Sequence, residues 1–118
     1  MLRLNRVHHI AIICSDYERS KHFYTEILGL TIAGEVFRKE RNSYKLDLEV
    51  AGQYQIELFS FPDPPPRPSH PEAAGLRHLA FEVDDINEAV FHIKEYGINV
   101  EPVRIDEFRQ KIHFLRRP

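Results

Sequence analysis

The sequence predicts an α+β protein built from two copies of one strand–helix–strands unit, and three observations predict it. Val7-His8-His9-Ile10-Ala11-Ile12-Ile13 reads as a buried strand that runs straight into a capped helix start at Ser15-Asp16-Tyr17-Glu18. A second stretch, Leu76-Arg77-His78-Leu79-Ala80-Phe81-Glu82-Val83, leads into Asp84-Asp85-Ile86 in the same way, and a shift of 69 positions lays His9 on His78, Ala11 on Ala80 and Asp16 on Asp85. Between the copies, residues 62–71 hold six of the eight prolines. That run excludes helix and central strand, and reads as an extended connector.

The elements follow in order. A strand is expected over 5–14, with Val7, His9, Ala11 and Ile13 on one face and His8, Ile10 and Ile12 on the other. Ser15 and Glu18 have capping-box spacing, so a helix starts near Asp16; Tyr17, Phe23, Tyr24, Ile27 and Leu28 recur at helical intervals, and Gly29 stops it. Strands over 31–38, 43–50 and 54–61 follow, the last two joined by a tight turn at Ala51-Gly52-Gln53. This first module, residues 1–61, reads βαβββ. After the linker over 62–74, the second module at 75–118 reads βαββ: a strand over 76–83, a helix from Asp85 to Tyr96 stopped by Gly97, and strands over 98–105 and 110–115. It is one strand short of the first, so this form is expected to be truncated.

Composition narrows the function classes. At 118 residues the chain fits one domain with a real core, and 42% hydrophobic with 29% charged residues is an ordinary globular balance. A net charge of −2 offers no broad basic face for nucleic acid. No apolar run reaches membrane length and no signal-peptide layout is present, so neither a membrane nor export is expected. The lone Cys14 cannot form an internal disulfide, which fits the cytoplasm, and its place at the end of an apolar strand suits a small buried hydrophobe better than a nucleophile.

Two matched histidines, His9 and His78, suggest a site built where the copies meet. An acid in the middle of Tyr54-Gln55-Ile56-Glu57-Leu58-Phe59 is costly to bury unless paired or bound to a metal, or else it faces water on an edge strand. His22, His70, His92 and His113 fall on a helix, the linker, a helix and a late strand, where solvated roles are the default.

HIAIICSDYERSKHFYTEILGL over 9–30, QIELF over 55–59 and GLRHLAFEVDD over 75–85 together resemble the glyoxalase/bleomycin-resistance/dioxygenase family, the vicinal oxygen chelate superfamily, across essentially the whole chain. The resemblance implies paired βαβββ modules forming a half-open barrel around a divalent metal, the second module here lacking its last strand. It implies His9, Glu57 and His78 as metal ligands, with Glu57, or the final glutamate missing here, as the candidate catalytic base. The ion would be zinc, nickel, cobalt, iron or manganese, since two imidazoles and a carboxylate suit them all.

The His, Glu, His order is similar to that of glyoxalase I members. The implied activity is that of a lactoylglutathione lyase-like metalloenzyme, a lyase or isomerase acting on a small molecule with vicinal oxygens. The resemblance also implies a homodimer. Two departures stand out. Ile13 occupies the place where glutathione-dependent members commonly carry arginine, and the expected final strand with its glutamate is missing. A non-catalytic, bleomycin-resistance-like binding protein is the alternative. A thiol transferase of the fosfomycin-resistance type is disfavoured, because those members carry His where Glu57 stands.

Overall fold

The computed structural model of the protein describes residues 1–101 and the backbone of two short paired segments at 104–105 and 111–112. The chain divides into two compact units, Met1–Arg67 and Pro68–Pro118, with the boundary inside the proline-rich connector.

The first unit opens with strand β1, Ile10–Cys14, five residues shorter at its start than the alternation suggested. Helix α1 covers Tyr17–His22 and continues as a wider π-helical turn through Phe23–Ile27. Its cap is Asp16 rather than Ser15: the Asp16 carboxylate accepts the Arg19 N–H at 3.1 Å, satisfying a donor that the helix start leaves open. At the other end the Leu30 N–H reaches back to the Tyr24 carbonyl at 2.9 Å, around Gly29 at φ 78°. This left-handed stop suits a residue without Cβ.

Strands β2 (Thr31–Arg38), β3 (Ser43–Val50) and β4 (Gln53–Ser60) form an antiparallel meander, and β1 adds to β4 in parallel. The sheet order is β1-β4-β3-β2, open and not closed on itself. Ala51 and Gly52 both have positive φ, 50° and 78°, as a two-residue type I′ hairpin requires.

Alternation sorts the sheet into two faces. Leu46, Leu48, Ile56 and Leu58 are sealed from solvent on one face, where α1 contributes Tyr17, Phe23, Tyr24 and Ile27 to the core. Tyr17 stacks flat on Tyr44 of that face, with ring centroids 4.5 Å apart, and its hydroxyl donates to Glu35, which also pairs with Lys21 at 2.8 Å. Cys14 is buried at the edge of this core, its Sγ–H donating to the Phe59 carbonyl at 3.2 Å, and burial pushes its thiol pKa up. It behaves as the small hydrophobe its position predicts.

The second unit contains helix α2, Ile86–Glu95, capped by Asp85, whose carboxylate accepts the N–H groups of Asn87 and Glu88. Asp16 and Asp85 hold nearly the same backbone angles, φ −135° with ψ 103° and 109°, so the repeat seen in sequence is a repeat of cap geometry. Gly97, at φ 76°, ends α2 as expected. Strands β5, Arg104–Ile105, and β6, Lys111–Ile112, pair antiparallel. Of the expected strand over 98–105, residues 98–101 form only an isolated bridge at Val100; apart from β5 and β6, the rest of that strand, the rest of the one over 110–115 and the position of His113 lie outside the described residues. Residues 76–83 run without strand pairing, contrary to expectation. An apolar alternating run becomes a strand only when a neighbour takes its N–H and C=O groups, and Ile10–Cys14 has that neighbour in β4.

Candidate functional site

The sheet face opposite the core carries the polar groups. Glu57 lies in the middle of β4, between Ala11 of β1 and Asp47 of β3. This strand has a neighbour on each side, so the edge-strand reading of Glu57 is wrong. Its side chain is 14% exposed, and such a carboxylate is held only where other groups compensate it. Three do so, all at Oε2. His9 Nε2 is 3.4 Å away, Lys45 Nζ is 3.8 Å away, and the Tyr54 hydroxyl donates a hydrogen bond. Lys45 also pairs with Asp47 at 2.8 Å, and the Tyr54 hydroxyl comes to 3.5 Å from that carboxylate.

Tyr54 was not legible as a site residue, and strict alternation would put it on the opposite face from Glu57. The pairing explains its place. Leu48 opposes Ile56 but Glu49 opposes Tyr54, so Gln55 is an extra residue on β4. This bulge turns Tyr54 to the side of Glu57, the re-aiming that bulges produce. Burial first, and then the hydrogen bond to Glu57, push the Tyr54 phenol well above its ordinary pKa of 10. Lys45 and Asp47 were also missed, although the hydrophobic alternation of Lys45-Leu46-Asp47-Leu48 does put them on one face.

The structure brings two of the three expected ligands together. His9 precedes β1 and points its Nε2 at Glu57, while its Nδ1 lies 2.8 Å from His8 Nδ1. One of those two nitrogens must donate and the other accept. When His9 donates there, its Nε2 lone pair faces the carboxylate, and a cation is what reconciles two such acceptors. A separation of 3.4 Å also suits two ligands lying about 2.1 Å from one ion at a tetrahedral angle. His78 lies in the second unit, exposed and outside any helix or strand, seven positions before the cap Asp85, just as His9 precedes Asp16. Among the described residues no three His, Cys, Asp or Glu side chains group closely enough to hold a metal ion.

Comparison with known proteins agrees with this architecture. A family model described as Glyoxalase/Bleomycin resistance protein/Dioxygenase superfamily matches residues 6–115. The uncharacterized protein YaeR of Escherichia coli K12 is 59% identical over 111 residues, covering 94% of this chain and 86% of its own. The crystal structure of a glyoxalase family protein from Enterococcus faecalis superposes with a TM-score of 0.88 at 44% identity, covering 97% of this chain and 90% of its own. More distantly, human mitochondrial methylmalonyl-CoA epimerase is 31% identical over 121 residues, covering 95% of this chain and 66% of the enzyme. The fosfomycin resistance protein FosX of Listeria monocytogenes, solved with Mn(II), shares the fold at 19% identity and a TM-score of 0.68, over 95% of this chain and 85% of its own.

Proposed function

Because this chain belongs to the glyoxalase/bleomycin resistance protein/dioxygenase superfamily, we propose that it is a metal-dependent lyase or isomerase of the glyoxalase I type, acting on a small molecule with vicinal oxygens. The observation that carries the reading is the meeting of His9 Nε2 and Glu57 Oε2, 3.4 Å apart on the open face of an interior strand. His78 is assigned to the same ion as the counterpart of His9 in the repeat. The Mn(II) in the FosX structure supports a divalent metal on this fold, and zinc, nickel, cobalt and iron suit the same donors.

Bound there, a divalent ion supplies polarisation of the substrate's vicinal oxygens. The chain's own residues divide the remaining work. Among the described residues, the hydrogen bond and ion pairs to Glu57 all fall on Oε2, so Oε1 is the oxygen available to take a proton from a substrate carbon and return it to the neighbouring one. Tyr54 fixes the carboxylate's orientation, and Lys45 lends positive potential as it gains and loses charge. Proton transfer at carbon is also what an epimerase performs, and the likeness to methylmalonyl-CoA epimerase supports that class of step.

A second reading, a non-catalytic binding protein of the bleomycin-resistance kind, is favoured by Lys45, which already supplies a cation 3.8 Å from Glu57. Metal analysis of tag-free protein separates the two readings. Equilibrium dialysis against zinc and nickel then tests the ligands: His9→Ala abolishes binding and His8→Ala weakens it less, whereas equal losses or loss only from His8→Ala overturn the assignment. We propose further that the protein works as a homodimer, which sedimentation at tens of micromolar tests. Its one thiol, buried and unbridged, fits a cytoplasmic setting. No helix among the described residues is long and apolar enough to cross a membrane.

A further inference from the structure

Arg38 ends β2 on the same open face as Glu57, and its situation is unusual for a cation. It is half-buried, yet among the described residues it has no acidic partner. Its guanidinium lies over the Phe59 ring, 5.0 Å from the centroid. Its Nη2 makes one long hydrogen bond, 3.4 Å, to the fully buried Ser43 hydroxyl. Its Nε is sealed from solvent with no acceptor among the described residues. Of five N–H donors, then, one is used. Taking a charge out of water without a counter-charge costs free energy, and buried donors are ordinarily satisfied.

The location gives this cost a use. Phe59 follows Glu57 by two residues on the same face of β4, a rise of about 7 Å. Resting on that ring, the guanidinium stands across one row of side chains from the His9–Glu57 pair. The row between is apolar at its outer positions, with Ile13 59% and Val36 51% exposed, large hydrophobic surface left open to water. Lys45, the other cation of the face, is engaged by Asp47. Among the described residues of this face, Arg38 is the cation left with donors to offer.

We propose that Arg38 is the anion-recognising residue of this face, and that the small molecule handled here carries a carboxylate, phosphate or phosphonate alongside its oxygenated end. The substrate half of this statement rests on the His9–Glu57 reading above; the anion site does not. A planar guanidinium held flat on an aromatic ring offers paired donors matched to two oxygens of such a group, and the ring fixes it at little further entropic cost. An arriving anion also supplies the counter-charge that is missing among the described residues.

The test is a calorimetric titration at low ionic strength with inorganic phosphate and, in a parallel arm, acetate, which separates phosphoryl from carboxylate recognition. At least one anion should bind the wild-type protein with a dissociation constant near 1 mM or tighter, on the order of a weak single-site interaction. Arg38→Gln should weaken that binding about tenfold or more and by more than Lys45→Gln does, while Arg19→Gln, an exposed cation of α1, stays within about twofold. If the Gln variant fails to fold, Arg38→Met, which keeps an apolar stem on Phe59, takes its place under the same threshold. No saturable binding of either anion, undiminished binding in the Arg38 variant, or an equal loss in Lys45→Gln overturns the inference. Arg38-dependent phosphate binding in a protein that takes up neither zinc nor nickel in equilibrium dialysis removes the metal reading alone. Intact metal binding with no Arg38 dependence removes this inference alone.

Discussion

Tyr54 and Glu57 stand three apart on β4, yet the phenol of one donates its hydrogen bond to the carboxylate of the other. The bulge at Gln55 makes this possible, and it ties the acidity of the Tyr54 phenol to the local shape of the strand.

One consequence is a pH limit on the alkaline side. The Tyr54 phenol is raised above its ordinary 10, by burial and then by Glu57, and that of Tyr17 is raised too, by burial and then by Glu35. A group raised in the folded state stabilises it fully below its unfolded value and loses that contribution as pH climbs through the folded value. Stability should therefore fall above pH 10, and ultraviolet titration should show two phenols ionising late. Tyr54→Phe should remove one late phenol and flatten the decline. A Tyr54→Phe titration identical to wild type would contradict this.

The acid side has the opposite sign. Lys21, and then Tyr17, hold the Glu35 carboxyl below its ordinary 4.5. Its contribution is present above 4.5 and is lost as pH falls through the lowered folded value. Glu35→Gln should cost no more than about 1 kcal/mol at neutral pH, the range of surface pairs. The difference from wild type should vanish below the carboxylate range, as urea melts at pH 7 and pH 3 would show.

The core has a plainer expectation. Leu58 is wholly buried on the face of β4 opposite Glu57. Leu58→Ala should cost about 2–5 kcal/mol by transfer and cavity terms together, read from chemical denaturation. A loss below about 1 kcal/mol would mean the sheet relaxes around the gap far more than buried leucine sites usually do.

Ile13 bears on the substrate. It sits exposed on the open face, two residues beyond Ala11, the register partner of Glu57, and offers neither charge nor hydrogen bond. The hemithioacetal of glutathione and methylglyoxal should therefore turn over far below the ~10 per second typical of enzymes. A coupled spectrophotometric assay with added nickel or zinc checks it, and rapid turnover would show that another residue holds the glutathione carboxylate.

How far the sequence could be read depended on how local each determinant was. The repeat, both helix stops and the hairpin turn were legible because glycine, aspartate and hydrophobic spacing act within a few residues. The cap moved from Ser15 to Asp16 because either short polar side chain can accept a first-turn N–H, and backbone geometry chooses. Tyr54 was hidden by a bulge that only cross-strand pairing reveals. The strand pattern at 76–83 was present without its structure, because strand formation is decided by a neighbour that the local sequence does not name. Nothing local in the sequence sets Arg38 apart from other charged residues; its place over Phe59 does.

The parallel pairing of β1 with β4 has a consequence for how the site comes and goes. The meander of β2, β3 and β4 closes through short turns, whereas β1 reaches β4 across everything between residues 14 and 53. Closing so long a loop is entropically slower than closing a hairpin, and such a contact is among the easier ones to open. His9 and Glu57 stand on either side of that one seam. They are neighbours only while it is shut, so a ligand held by both acts as a clasp on the first strand. Occupancy should slow amide exchange along Ile10–Cys14 ahead of anywhere else in the sheet.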